Sequence, residues 1–249
     1  MQIYRMRLPR AALQQLPEAE RAFFLLAGHM QNELNSLHKV FAWCLQNQAK
    51  TPIESLVNGV QAQLYARLLA GKLLEAWNAL NTSFFGTKIS QRIEASLHPS
   101  AQEALVSLKA YFRKSNLIHR VRNSFAFHYA AEEFEHHWLE VSDDPNFEVV
   151  LGGTVGNNMT LASELVVNTA VLNSANQGDQ SAALQKFLEE VQLTANHFTN
   201  FLEGVTLVFL TSVYPSPIRA QGSIEVIDPP FQFEGIAIPH FYDHGLSDD

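Results

Sequence analysis

"PEAERAFFLLAGHMQNELNSLHKVF", residues 17–41, sets Phe23, Phe24, Leu26, Ala27, Met30, Leu34, Leu37, Val40 and Phe41 at steps of three and four. That spacing lines one face of a 3.6-residue helix. Pro17 falls in the first turn, where its missing N–H has no intrahelical partner to lose. One long amphipathic helix is predicted, and with it a core built by packing helices. Outward toward the amino terminus, MQIYRMRLPRAALQQ lacks the apolar central run of a secretion leader. In the other direction a second helix is predicted from about residue 55 past Trp77 and Leu80, with Leu64, Leu68, Leu69, Leu73 and Ala76 on its stripe. Pro99 and Ser100 open a third, through Leu105, Leu108 and Phe112. Ser115 or Asn116 caps a fourth.

After Tyr129 the pattern changes. Residues 138–141 and 147–151 flank the turn-forming string Ser142, Asp143, Asp144, Pro145, Asn146, so a β-hairpin is predicted there. Residues 159–172 and 181–213 read as helices again. From Pro215 onward, Pro217, Pro229, Pro230 and Pro239 forbid regular helix, and an extended tail is expected. The fold class is therefore mainly α, a helical bundle with a small hairpin insertion and an extended C-terminal tail.

At 249 residues and 47% hydrophobic, the chain is large enough to bury one substantial core. It is read as a single unit, 1–249, with sub-regions 1–130 and 131–249. Cys44 is its only cysteine, which excludes an intrachain disulfide and makes a reducing, cytoplasmic setting the expectation. The longest apolar run, residues 205–213, is far short of a bilayer span, so no membrane association is expected. The net charge of −8 conceals a division: residues 1–130 carry 15 Lys and Arg against 7 Asp and Glu, residues 131–249 carry 2 against 18. A basic half suits an anionic ligand such as RNA; an acidic half opposes indiscriminate binding and suits a basic partner, unless the two halves simply attract each other.

Within the basic half, "RNSFAFHY", residues 122–129, combines a guanidinium, an amide and an imidazole with Phe125, Phe127 and Tyr129. Arginine followed by histidine after five residues also occurs at Arg92 and His98 and at Arg113 and His119. Only at Arg122 does asparagine follow directly, inside a predicted helix with apolar groups to anchor it. Arg122, Asn123 and His128 resemble the signature of the HEPN domain superfamily, and a four-helix layout ending in the motif helix is similar to that of the family. The resemblance covers eight residues sharply and 1–130 loosely. It implies a metal-independent endoribonuclease, commonly homodimeric, of the kind found in toxin–antitoxin, phage-defence and RNA-processing systems, with a protein antitoxin among its implied partners and no cofactor. It also admits a non-catalytic RNA-binding or protein-assembly module.

The residue types fit the implied chemistry. Histidine titrates near neutrality and serves as general base or acid, and guanidinium presents fixed donors to phosphoryl oxygens. Residues six apart on an ideal helix point about 120° away from each other, so Arg122 and His128 of one chain share no stripe. The pairing becomes natural if a two-fold axis passes beside the helix, so that Arg122 of one subunit approaches His128 of the other. Arg113, Lys114, His119 and Arg120 lie just upstream as candidate RNA contacts.

Other patterns carry less. Glu133 and His136 have the i, i+3 spacing of carboxylate-bridged di-iron bundles, but no second Glu-x-x-His copy occurs, and no metal site is expected. Gly152, Gly153 and Gly156 lack the order of a phosphate-binding loop and read as turns. Cys44, near His38, reads as a packed thiol.

Overall fold

Helix boundaries in this chain are set by side chains that satisfy the backbone groups a helix leaves unpaired. In the computed structural model, which describes residues 2–122, 131–141, 147–154, 156–175, 179–214, 223–228, 232 and 235–242, nine helices and four short strands occur among those residues. A short α1 (Arg10–Gln14) leads into α2 (Glu18–Leu45), whose first turn holds Glu18 and Glu20 against the positive end of the helix dipole. At α3 (Pro52–Ser83), Thr51 Oγ1 accepts from the Glu54 N–H at 3.2 Å, while Glu54 Oε2 accepts from the Thr51 N–H at 3.0 Å. This reciprocal capping box, with proline at the first helical position, starts the helix three residues earlier than its apolar stripe indicates.

Gly86, at φ 76°, lets the chain turn sharply after α3. Thr87 then caps α4 (Lys88–Ser96), a helix the apolar periodicity did not reveal, by accepting from the Ser90 N–H. His98 Nδ1 caps α5 (Pro99–Phe112), and the Asn116 side chain caps α6 (Leu117–Val121), accepting from the His119 N–H at 2.9 Å. Beyond these lie α7 (Ala131–Trp138), α8 (Leu161–Ala175) and α9 (Gln180–Val213), the last capped by Asp179.

The chain divides into two units of interleaved segments, and α2, α3 and α9 contribute residues to both. The first comprises 1–36, 75–114 and 194–232. Its interior is aromatic. Phe84, with none of its surface exposed, has Phe23 stacked on it at 4.7 Å between ring centroids, with Phe85 and Phe201 at 5.4 and 5.8 Å. Trp77 stacks on Phe112 at 4.7 Å, and Phe112 meets Phe198 edge-on. Gly204 on α9 sits where a Cβ would run into the Ala101 side chain of α5, so these two helices touch backbone to small residue. Arg92 lies over the Phe209 ring and donates to Glu20 at 2.6 Å, which joins α4 to the start of α2. Strands β1 (Gln2–Arg5) and β4 (Ser223–Val226) pair antiparallel, from Gln2↔Val226 to Arg5↔Ser223.

The second unit comprises 37–74, 115–193 and 233–249. Here α8 packs against α6 and α7, and Val57, Val60 and Leu161 form an apolar cluster with Val150, Met159 and Phe241. A two-stranded ribbon is present, but displaced from its expected place. Trp138 ends α7 instead of starting a strand, and β2 (Val149–Val150) pairs with β3 (Met159–Thr160) across the glycine-containing segment. Of the expected tail, residues 215–222, 229–231, 233–234 and 243–249 lie outside the described residues, and two asparagines hold its segment 235–242. Asn47 donates to the Ile238 carbonyl at 2.6 Å and accepts from its N–H at 2.8 Å; Asn157 treats Tyr242 in the same way at 2.6 and 3.2 Å. A primary amide presents the same donor and acceptor pair as a peptide, so each side chain replaces one rung of a strand ladder.

Truncating the ring at the centre of the aromatic cluster tests this packing. Phe84→Ala is expected to lower stability by about 3–5 kcal/mol, seen as a reduced urea midpoint with unchanged slope. Val106→Ala on the exposed side of α5 is expected to stay within about 0.5 kcal/mol of the parent.

Candidate functional site

Burial of one face of α6 positions the basic residues. Leu117, Ile118 and Val121 are each at most 1% exposed. At about 100° per residue, burying these three turns 119 and 120 outward and leaves 122 at the edge of the buried arc. His119 and Arg120 are accordingly exposed and Arg122 half-buried, its Nε sealed from solvent. Arg122 keeps helical angles (φ −60°, ψ −44°), and its N–H still donates to the Ile118 carbonyl, so the chain enters the motif in helical conformation. Arg113 and Lys114 are exposed at the end of α5 in the first unit; His119, Arg120 and Arg122 belong to the second. Asn123 and His128 lie outside the described residues.

A separate cleft of about 540 Å³ opens between α3 and α8. Val60, Leu161 and Leu165 make its apolar walls, and Gln63, Glu148 and Asn168 supply polar groups. Behind it lies Arg67, only 4% exposed, which donates to Asn168 Oδ1 at 2.6 Å and to Glu164 Oε2 at 2.7 Å. A buried guanidinium is tolerated only when its charge and its N–H groups are met. Glu164 meets the charge, and Asn168 links the arginine to the wall of the cleft. Neither Arg67 nor its partners carry a motif, and no sequence pattern connects residues 97 and 101 positions apart.

The last turn of α7 gathers a third group. His137 Nδ1 lies 3.2 Å from Glu140 Oε1, the His136 and His137 rings are 5.0 Å apart between centroids, and Asn173 of α8 donates to Glu140 Oε2 at 3.0 Å. Desolvation pushes the Glu140 carboxyl up, but the Asn173 hydrogen bond and the two imidazoles outweigh it and hold the group below the ordinary glutamate value. Among the described residues these are the residues that could hold a metal ion. The i, i+3 spacing in the sequence points to Glu133, on the other side of the histidines, and carries no signal for Glu140.

Two remaining features behave as turn and core. Gly156, at φ 94°, lies against the Tyr242 hydroxyl, and the Asn157 N–H donates to the Thr154 carbonyl at 3.1 Å in a tight turn. Burial pushes the Cys44 thiol up to about 11 and lowers His38. Both shifts oppose a thiolate–imidazolium pair, which requires a lowered thiol and a raised imidazole. Among the described residues no helix is long and apolar enough to cross a membrane. The chain matches no known family model, no curated protein and no solved structure.

Two measurements follow from this geometry. Arg67→Ala strands the carboxylate of Glu164 and the amide of Asn168, and is expected to cost about 3 kcal/mol in chemical denaturation. Cys44 is expected to react with a chromogenic disulfide reagent at pH 8 only as fast as the protein unfolds, and at once in denaturant, where the thiol returns to about 8.5.

Proposed function

We propose that the chain is a HEPN-like, metal-independent endoribonuclease, acting as a homodimer in the cytoplasm, in a toxin or phage-defence setting. The observation that carries this reading is the pair of exposed basic side chains on α6, His119 and Arg120, leading into a helical Arg122 at the head of the Arg122, Asn123, His128 motif. In this reading His128 takes the proton from a ribose 2′-hydroxyl, and the resulting oxygen attacks the adjacent phosphorus. The 5′-oxygen of the next nucleotide leaves and is protonated, and a 2′,3′-cyclic phosphate remains. Arg122 stabilises the charge on the phosphorane, as fixed cationic donors do for developing oxyanions, and Asn123 orients the ribose or the catalytic pair. Arg120 and the basic side chain beside it on α6 hold the strand, and the net negative charge of residues 131–249 suits a basic partner or a protein antitoxin.

A second observation favours assembly. Trp138, Leu139, Phe147, Val149 and Leu151 are exposed within one stretch of chain, with Trp138 against Phe147 at 4.8 Å. Apolar exposure of this kind marks interaction surfaces. In that reading the protein is a non-catalytic RNA-binding or assembly module.

Incubation with mixed RNA in excess chelator separates the two. The enzyme reading expects cleavage to fragments ending in 2′,3′-cyclic phosphate, reduced at least about 100-fold in Arg122→Ala and His128→Ala variants of unchanged helical content. Wild-type protein that leaves every RNA intact overturns it and leaves the binding module.

A further inference from the structure

We propose that the C-terminal turn of α7 is a binding site for a divalent transition-metal ion of the zinc class, with His136, His137 and Glu140 as ligands and Asn173 as the residue that positions Glu140. The proposal is independent of the nuclease reading. It rests first on donor chemistry. Two imidazoles and one carboxylate are borderline nitrogen and oxygen donors, which favour Zn²⁺, Co²⁺ or Ni²⁺ over Mg²⁺ or Ca²⁺.

It rests equally on distance. Zinc–nitrogen and zinc–oxygen bonds of about 2.0–2.1 Å put tetrahedral ligand atoms about 3.4 Å apart. His137 Nδ1 and Glu140 Oε1 already stand 3.2 Å from each other. One donor from each of the three residues lies within 4.8 Å of the others, so closing the set requires about 1.5 Å of movement. His136, an exposed side chain on the same turn, can supply that movement by rotating about its side-chain bonds.

The surroundings of Glu140 are those of a ligand already oriented. Its two oxygens are divided between roles: Oε2 accepts from Asn173 Nδ2 at 3.0 Å, and Oε1 faces His137. A carboxylate held on one oxygen by a hydrogen bond from a residue that does not touch the ion presents its other oxygen to the ion. Three protein ligands on an exposed turn leave the fourth position to water or to a donor on a bound molecule. Because Asn173 lies on α8, occupancy joins the end of α7 to that helix through Glu140.

The test uses the full chain, stripped with chelator and desalted, titrated with Co²⁺ and followed by visible absorption, with Zn²⁺ as competitor and bound metal counted by elemental analysis. One ion per chain is expected, with a d–d spectrum abolished by Zn²⁺ and a melting temperature raised by Zn²⁺. His137→Ala and Glu140→Gln are expected to weaken binding more than tenfold, and His136→Ala, at an exposed position, to do so at unchanged helical content. Asn173→Ala is expected to retain one ion per chain at roughly tenfold lower affinity, the signature of a positioning residue. Absence of stoichiometric binding overturns the proposal, as does binding of undiminished affinity in Glu140→Gln and His136→Ala, which places the ion elsewhere. Neither result depends on whether the protein cleaves RNA.

Discussion

Burial of Leu117, Ile118 and Val121 is the constraint on which the candidate site depends. Three buried apolar side chains within Leu117–Val121 leave α6 no rotational freedom, because turning any of them out would return large apolar groups to water at about 1.5–3 kcal/mol each. The same rotation fixes His119 and Arg120 in solvent and brings Arg122 to the boundary. Packing against α8 and the Asn116 cap hold the first turn of α6 in place. The presentation of basic groups is thus a by-product of apolar burial, and a change that loosened α6 would scramble it without touching a charged residue.

In the second unit a buried charge ties α3 to α8. Arg67 is satisfied by Glu164 and Asn168 from one face of α8, and that face also walls the cleft with Leu161, Leu165 and Asn168. Such an arrangement ties the shape of the cleft to an ion pair: the position of Asn168 depends on the arginine behind it. Asn47 and Asn157 apply the same economy to the tail, where a side-chain amide stands in for a neighbouring strand and holds proline-flanked chain that cannot form helix. Glu140 extends the pattern, since Asn173 holds one oxygen while the other faces His137.

Much of the architecture was legible residue by residue. Phe23, Ala27, Met30, Leu34 and Phe41 recur at helical spacing and are all buried on α2. Pro99 does open α5, and Asn116 does cap α6. What escaped were elements whose signal is weak or shared. The short α4 lacks a long apolar stripe and is announced by its cap at Thr87. The region near Trp138 has the aromatic and aliphatic content of a strand, yet α7 runs to Trp138 and a turn follows at 139–141. Within the site, the sequence singled out Arg122, His119 and Arg120, whose places follow from helical geometry, but passed over Glu140 and Arg67, whose significance comes from partners on another helix.

By itself the amino-acid order determined the helical class, the buried stripes, the caps and the concentration of positive charge before Arg122, because each rests on backbone geometry within a few residues. Tertiary structure alone decided that Gln2 to Arg5 pairs with Ser223 to Val226, that Arg67 finds Glu164 and Asn168, and that Asn173 orients Glu140 beside two histidines. Those choices join residues tens to hundreds of positions apart. They are settled by which faces the packed helices bring together, a property of the assembled core to which no local spacing refers.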